Sequence, residues 1–346
     1  MSQPYDALLF VSFGGPDKME DVLPFLENVL RGKPVPRERM LEVAHHYELF
    51  GGVSPLNAQN REVIAALEKR LGADGPRLPI YFGNRNWHPL LADTLRRMAD
   101  DGVRRALAFV TSAYSSYSGC RQYRENIAAA QDEVGPNAPA IDKLRVFYNH
   151  PLFIDAVADQ IAAAFAQIPA ERRANAALVF TAHSIPNAMS ANCRYVEQLT
   201  ETCRLTAERL GRTNWQLVYQ SRSGPPSQPW LEPDVCDHLR ALSGQGVRDV
   251  VLSPVGFLSD HMEILFDLDT EARQVCQSLG VNLVRAATVG THPSYIEMIR
   301  ELIIERLATA TSRRAIGQYP ASHDVCPEDC CLSGRPPQSL PAKHAK

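Results

Sequence analysis

Short apolar runs recur along the chain, each followed by a polar loop and then by a segment of helical period. Residues 8–12 (LLFVS), 78–82 (LPIYF), 106–111 (ALAFVT) and 143–148 form the first set. Apolar runs that are continuous rather than alternating predict strands buried on both faces, as in parallel sheets. Residues 57–71, 89–100 and 121–134 carry the period of amphipathic helices between them. Residues 17–30 also read as helical, with Leu23, Leu26 and Leu30 on one face. Pro24 predicts either a break there or the start of a second helix. Residues 31–39 (RGKPVPRER) predict a basic, Pro-rich loop.

The second half repeats the rhythm. Strands are expected at 177–181, 216–220, 249–252 and 281–286. Helices are expected at 152–166, 195–210 and 235–242, from about residue 259 or 260 onward, and from 293 to about 310. Strands alternating with helices predict an α/β protein with parallel sheets covered on both faces. The division near residue 150 predicts two Rossmann-like, doubly wound lobes with four strands each, 1–150 and 151–312. A polar, Pro-rich extension, 313–346, follows.

In such sheets ligands sit beyond the C-terminal ends of the strands. The polar loops fall there: Gly14-Gly15, residues 112–123, His183, residues 221–230 and residues 254–263. Their convergence places a cleft between the lobes. The GGP sequence taken alone reads as a tight turn.

One stretch carries unusual charge. In PVGFLSDHMEILFDLDTE, residues 254–271, a helical period puts Asp260, Glu263, Asp267 and Glu271 on one stripe and Asp269 on the opposite side;. Like charges three and four apart repel by a few tenths of a kcal/mol per pair. The stripe therefore wants a cation, a basic partner or water. Oxygen donors of this kind suit a hard divalent cation. A solvated acidic face at a helix start is the plainer reading, and spacing alone favours it. His183, expected at the same sheet edge as Glu263, changes that balance, because an imidazole and a carboxylate facing one cavity make a base and a cation ligand. Phe13, Tyr47, Tyr114, Tyr117, Trp230, Phe257 and Phe266 could supply flat walls, or simply core.

The apolar fraction of 45% and charged fraction of 22% in 346 residues are those of a globular protein;. A net charge of −3 without a basic run gives no nucleic-acid footprint;. No stretch reaches the roughly 18 consecutive apolar residues of a membrane span, and the start lacks a signal pattern. A cytoplasmic protein is expected. GxGxxG, Walker and GxSxG motifs are absent, against a nucleotide enzyme or an esterase;.

There are eight cysteines, and Cys326, Cys330 and Cys331 crowd into six residues of the extension. Such crowding in a cytoplasmic chain predicts metal chemistry before disulfides, as a four-sulfur zinc or iron–sulfur site completed by one body cysteine. Cys120, on a strand-end loop, is the first candidate and Cys193 the second. Cys203, Cys236 and Cys276 sit in helical patterns as small core residues.

LLFVSFGGP, YELFGGVSPL, TAHSIP, QSRSGPPSQPWLEPDV and PVGFLSDHMEILFDLD together resemble the ferrochelatases, over about residues 5–310. The resemblance implies two Rossmann-like lobes with a porphyrin cleft between them, and insertion of Fe²⁺ into that porphyrin with release of two protons. It implies His183 as the active-site histidine and proton acceptor, Glu263 as its partner or a metal ligand, and Asp267 and Glu271 as acidic positions stepping outward. Phe13, Tyr47, Ser54, Tyr123 and Trp230 become porphyrin contacts. Phe13 stands where several bacterial relatives carry a tyrosine, and His46 where some carry an arginine. The 187–195 segment lacks the GDPYP sequence of many relatives. The resemblance further implies a [2Fe–2S] cluster on Cys326, Cys330, Cys331 and an internal cysteine at or beside Cys120.

The porphyrin is left open between coproporphyrin III and protoporphyrin IX. Peripheral membrane contact and a monomer or homodimer are both compatible. A cobalt or nickel chelatase of another tetrapyrrole, or a non-catalytic haem or porphyrin carrier, are the alternative readings.

Overall fold

The computed structural model describes residues 4–32, 35–225, 227–308 and 312–334. Two four-stranded, all-parallel sheets form its frame. The first comprises β1 (Ala7–Ser12), β2 (Ile80–Asn84), β3 (Arg105–Val110) and β4 (Ala140–Lys143), in the order β2-β1-β3-β4. The second comprises β5 (Ala177–His183), β6 (Trp215–Gln220), β7 (Asp249–Ser253) and β8 (Asn282–Arg285), in the order β6-β5-β7-β8. The second sheet repeats the first strand for strand. Helices flank both, so β1 and β7 are buried along their whole length, as their unbroken apolar sequences require;.

In each sheet the first two crossovers leave in opposite directions, which opens a crevice beyond the two central strands;. In the second sheet those strands are β5 and β7. His183 closes β5, and the PVGF segment follows β7. The Gly256 N–H donates to the Thr181 carbonyl at 3.0 Å and ties the two ends together. A Cβ on Gly256 would lie 2.7 Å from the Ala182 backbone, so only glycine permits this approach.

One apolar core joins the lobes. Phe10 and Phe109 of the first sheet and Phe180 and Val251 of the second share it with Phe147, Phe153 and Tyr295. Each such buried side chain stabilises the fold by about 2–3 kcal/mol. The helix Pro293–Leu307 reaches across, with Glu297 on Arg70 at 2.6 Å and Arg300 donating to the Gly75 carbonyl at 2.7 Å.

Four expectations are corrected. The run at 143–148 is not a strand, since β4 ends at Lys143. Leu144 still donates to the Ala108 carbonyl at 2.9 Å, and the chain then leaves the sheet as the buried connection between lobes. Pro24 does not break the helix Val22–Leu30, because it sits in the first turn, where a missing N–H costs nothing;. The Pro-rich loop is shorter than expected, as the helix Arg37–Glu48 starts inside it. The acidic helix becomes helical only at Met262, after Asp260, and continues as a π-helix over Ile264–Ala272.

The tail lies along the junction. Arg145 donates to the Arg314 carbonyl at 2.9 Å, the Ile316 N–H to the Asn149 carbonyl at 3.0 Å, and the Gln318 N–H to Glu201 at 2.6 Å. The expected helix end near residue 310 and the extension's last part, 335–346, lie outside the described residues. Among the described residues no helix is long and apolar enough to cross a membrane.

Candidate active site

The crevice beyond β5 and β7 collects the charged groups. His183 and Gln220 end adjacent strands in register. The Nδ1 of His183 donates to the Ser184 carbonyl, which turns Nε2 toward Glu263 Oε1 at 3.5 Å. Tyr195 fixes the backbone behind it, its hydroxyl donating to the His183 carbonyl at 3.1 Å. Both side chains stay wetted, His183 at 33% exposure and Glu263 at 48%.

Burial disfavours the His183 cation, but the charge and hydrogen bond of Glu263 outweigh it and push the imidazole up to about 9;. Burial likewise opposes the Glu263 anion, and His183 overrides it to hold the carboxyl at about 2. These opposite shifts are one interaction seen from its two ends. At neutral pH the pair holds a single proton, on the imidazole.

His261 lies on the other side of Glu263, with Nε2 at 3.8 Å from Oε2. Burial lowers its basicity more than Glu263 restores it, with His183 adding repulsion. Its Nδ1 accepts from the Ile264 N–H at 3.4 Å, which leaves Nε2–H aimed at the carboxylate;. One carboxylate thus stands between a charged and a neutral imidazole.

Asp267 follows one turn on. Ser221 donates its hydroxyl to Asp267 Oδ2, and Gln220 Nε2 donates to the same oxygen at 3.3 Å and to the Glu263 carbonyl at 3.2 Å. Ser221 holds this position with a left-handed φ of 62°. Burial, then the Glu263 charge, push the Asp267 carboxyl up to about 7 despite the Ser221 bond. Glu271 is raised as well, by burial and by Asp234. Asp260 does not join this stripe. It binds Arg285 at 3.1 Å, and Arg285 also holds Asp269 at 2.8 Å.

The aromatic wall comes from the first lobe. Tyr47 is buried edge-on to Phe25 at 6.0 Å, and burial with the Glu263 charge raises its phenol. Phe13 meets Phe25 at 6.3 Å and is 37% exposed. His46 stacks on Phe266 of the π-helix with ring centres 3.6 Å apart. The Arg85 guanidinium lies over both Phe13, at 5.5 Å, and the buried Tyr123, at 4.4 Å. Ser54 is buried against Gly15, and its hydroxyl accepts from the Leu56 N–H at 3.4 Å. Trp230 bridges to Pro186, three residues past His183, and packs against Gly224.

His183 therefore meets Glu263 directly, Gln220 links Asp267 to the Glu263 backbone, and Phe13 and Tyr47 share one aromatic cluster. Ser54 and Tyr123 are spent within the first lobe. Reading the sequence for function missed His261, Arg85, Ser221 and Gln220 as site residues. Each follows or ends a strand, and Gln220, Ser221 and His261 also lie inside the motifs that carry the family resemblance.

The cysteines also converge. The Cys120 thiol interacts with those of Cys326 and Cys331, an interaction that lowers the first and raises the other two. Cys330 Sγ lies 3.5 Å from Cys331 Sγ. Arg121 and Arg124 pin the tail backbone there, donating to the Cys330 carbonyl at 3.1 Å and the Cys326 carbonyl at 3.2 Å. Cys193 instead donates to the Met189 carbonyl at 3.4 Å. His323, which the sequence reading passed over, has its donor atom within 4.8 Å of those of Cys326 and Cys330.

Comparison with known proteins identifies the family. The ferrochelatase family model matches residues 5–307. A ferrochelatase of Rhodopirellula baltica is 58% identical, covering 96% of each chain. A coproporphyrin III ferrochelatase of Streptomyces coelicolor is 49% identical, over 97% of this chain and 95% of its own. One of Nocardia farcinica is 51% identical, over 96% and 98%. Among solved structures, SirB from Bacillus subtilis with Fe³⁺ shares the fold, with a TM-score of 0.55 at 14% identity over 87% of this chain and 95% of its own. The matched family and the near-complete overlap with close relatives give one conclusion: the chain belongs to the ferrochelatase family.

Proposed function

We propose that the protein inserts ferrous iron into a porphyrin in haem biosynthesis, and that His183, Glu263 and Asp267 handle the protons. The observation that carries this reading is the His183 and Glu263 pair, 3.5 Å apart at the crevice and followed by an acid poised near neutrality. Insertion must remove two pyrrole N–H protons while Fe²⁺ sheds its water. The resting imidazolium cannot accept a proton. His183 becomes an acceptor each time its own proton leaves through the carboxylates, and Asp267, at about 7, can take that proton and pass it to water, so that two cycles carry away both pyrrole protons;. The net negative charge of the ladder offsets the incoming iron.

The test is anaerobic turnover of Fe²⁺ with porphyrin by His183→Ala. The expected result is a loss of about 10²–10⁴-fold in kcat, with porphyrin binding retained by fluorescence quenching. Turnover near wild type overturns the assignment.

Coproporphyrin III is the proposed porphyrin. Support comes from the coproporphyrin III ferrochelatases at 49% and 51% identity, and from the cation near the wall, Arg85. A higher kcat/KM for protoporphyrin IX would refute this choice. The reaction is placed in the cytoplasm.

Cys120, Cys326, Cys330 and Cys331 fit a [2Fe–2S] cluster, because the described thiols meet without a competing disulfide. When bound, such a cluster supplies a redox-active cross-link between tail and body. Replacing any one of the four with Ser should bleach the protein and remove its acid-labile sulfide.

A further inference from the structure

Five soft donors meet at the tail, one more than the cluster reading uses. The surplus group is His323. It belongs to a His323-x₂-Cys326-x₃-Cys330 spacing, and the three donor atoms lie within 4.8 Å of one another. We propose that His323, Cys326 and Cys330 form a mononuclear site for a borderline divalent cation of the zinc type. This site is distinct from the four-thiol site and forms only in chains that do not carry the cluster, since Cys326 and Cys330 are common to both.

The loop is built to keep the three together. Asp324, beside His323, is gripped by Arg313 and by Arg306 at 3.3 Å. The carbonyls of Cys326 and Cys330 accept from Arg124 and Arg121 at 3.2 and 3.1 Å. A turn from the Cys330 N–H to the Pro327 carbonyl, at 3.2 Å, brings the two cysteines back toward each other. The two cysteines are thus held through their own backbone and His323 through its neighbour Asp324.

The donor set selects the metal. Two sulfurs and one imidazole suit zinc, whereas Mg²⁺ and Ca²⁺ require oxygen. Around tetrahedral zinc, with Zn–S about 2.3 Å, ligand sulfurs stand about 3.8 Å apart. The present spread of up to 4.8 Å therefore needs a closure of about 1 Å;. Each coordinating thiol gives its proton to solvent, so two thiolates balance the charge of one M²⁺. The fourth position is left to water or to Cys331, whose Sγ is 3.5 Å from that of Cys330. The buried Cys120 is not required.

That difference gives the test. Full-length, metal-free protein is titrated with Co²⁺ and then Zn²⁺, and the sulfur-to-cobalt charge-transfer band is read. Wild type should bind one Co²⁺ per chain and release it to Zn²⁺. His323→Ala, a change at an exposed residue, should weaken both metals at least ~10-fold, the least that even outer-shell losses cost. Cys120→Ser should bind them like wild type. Reconstitution with iron and sulfide should show the reverse, with colour kept in His323→Ala and lost in Cys120→Ser. If Cys120→Ser abolishes Co²⁺ binding, or His323→Ala leaves it unchanged, the three-ligand site is wrong. Failure of the cluster reading would appear separately, as a colourless reconstituted wild type that still binds Co²⁺.

Discussion

Removing the charge of Glu263 should make His183 a weaker base. In Glu263→Gln the shape is kept and the anion lost. The step of the imidazole from 6.5 to about 9 is driven by that anion against burial. Taken at face value it corresponds to about 3 kcal/mol. Glu263 is 48% exposed, however, so solvent screening reduces the interaction to about 1–2 kcal/mol;. The expected result is a drop of about one pH unit in the His183 titration, because the Ser184 carbonyl and the Asp267 charge still favour the imidazolium against burial;. The assay is NMR titration of the imidazole Cε1–H in metal-free protein, with His261→Asn in the same background to assign the resonance. A change of less than about half a unit would refute the pairing, since even the screened energy predicts more.

The same pair fixes a stability window. His183 is raised in the folded state, so its contribution is full below 6.5 and fades as pH climbs through about 9;. Glu263 is lowered, so its contribution is full above 4.5 and fades as pH falls through about 2;. Counted once, the pair stabilises most between pH 4.5 and 6.5, and the urea midpoints of wild type and Glu263→Gln should differ most there.

Asp267 gives the opposite sign to an ordinary surface carboxylate. Its raised pKa, about 7, means that wild type loses stability as pH rises through that value;. Asp267→Asn should therefore gain in melting temperature relative to wild type at pH 8 more than at pH 5, while the rise of insertion rate with pH near 7 flattens. At the lobe junction, Arg145 and Glu305 form a bidentate pair at 2.8 and 2.9 Å with side chains 1% and 7% exposed. Glu305→Ala strands a buried guanidinium and should cost about 3 kcal/mol in chemical denaturation. Arg145→Met with Glu305→Leu should recover most of that loss.

The strands were legible because parallel strands buried on both faces carry unbroken apolar runs. The strand-end rule then found His183, Cys120 and the 254–263 loop without any contact information. The same rule failed at 143–148, where a buried connection between lobes has the composition of a buried strand. Nothing in the apolar pattern separates them, since both are hidden from water on all sides. The π-helix was illegible for a related reason. Glu263, Asp267 and Glu271 recur every four residues, close to one turn of either helix type, so the period cannot tell them apart. His261 lies two residues before Glu263, where a helix start and a bend read alike. His323 is an exposed residue on a tail without periodicity, and only the folding of that tail onto Arg121 and Arg124 gives it neighbours.

Whether the acidic stripe is a solvated face or a working ladder can be argued from its neighbours. A structural charge network pairs its acids with bases. Asp260 and Asp269 do this through Arg285, at 3.1 and 2.8 Å. Asp267 and Glu271 do not, and Glu263 does so only with an imidazole, a base that can itself give up the proton. Among the ion pairs of the described residues none joins these three to an Arg or Lys, and their partners are histidines, Ser221 and Gln220. A surface explanation fails as well for Asp267, because a freely solvated carboxyl would not be driven from 3.8 to about 7;. Three acids held near one another, one of them half-protonated at neutral pH, are poor for stability. Replacing the middle one should strengthen the fold above pH 7, as predicted for Asp267→Asn. An arrangement that a single substitution would stabilise is one kept for its chemistry. The same substitution should therefore make the protein more stable and the insertion step slower. A variant that gained stability without losing rate would return the stripe to the solvated reading.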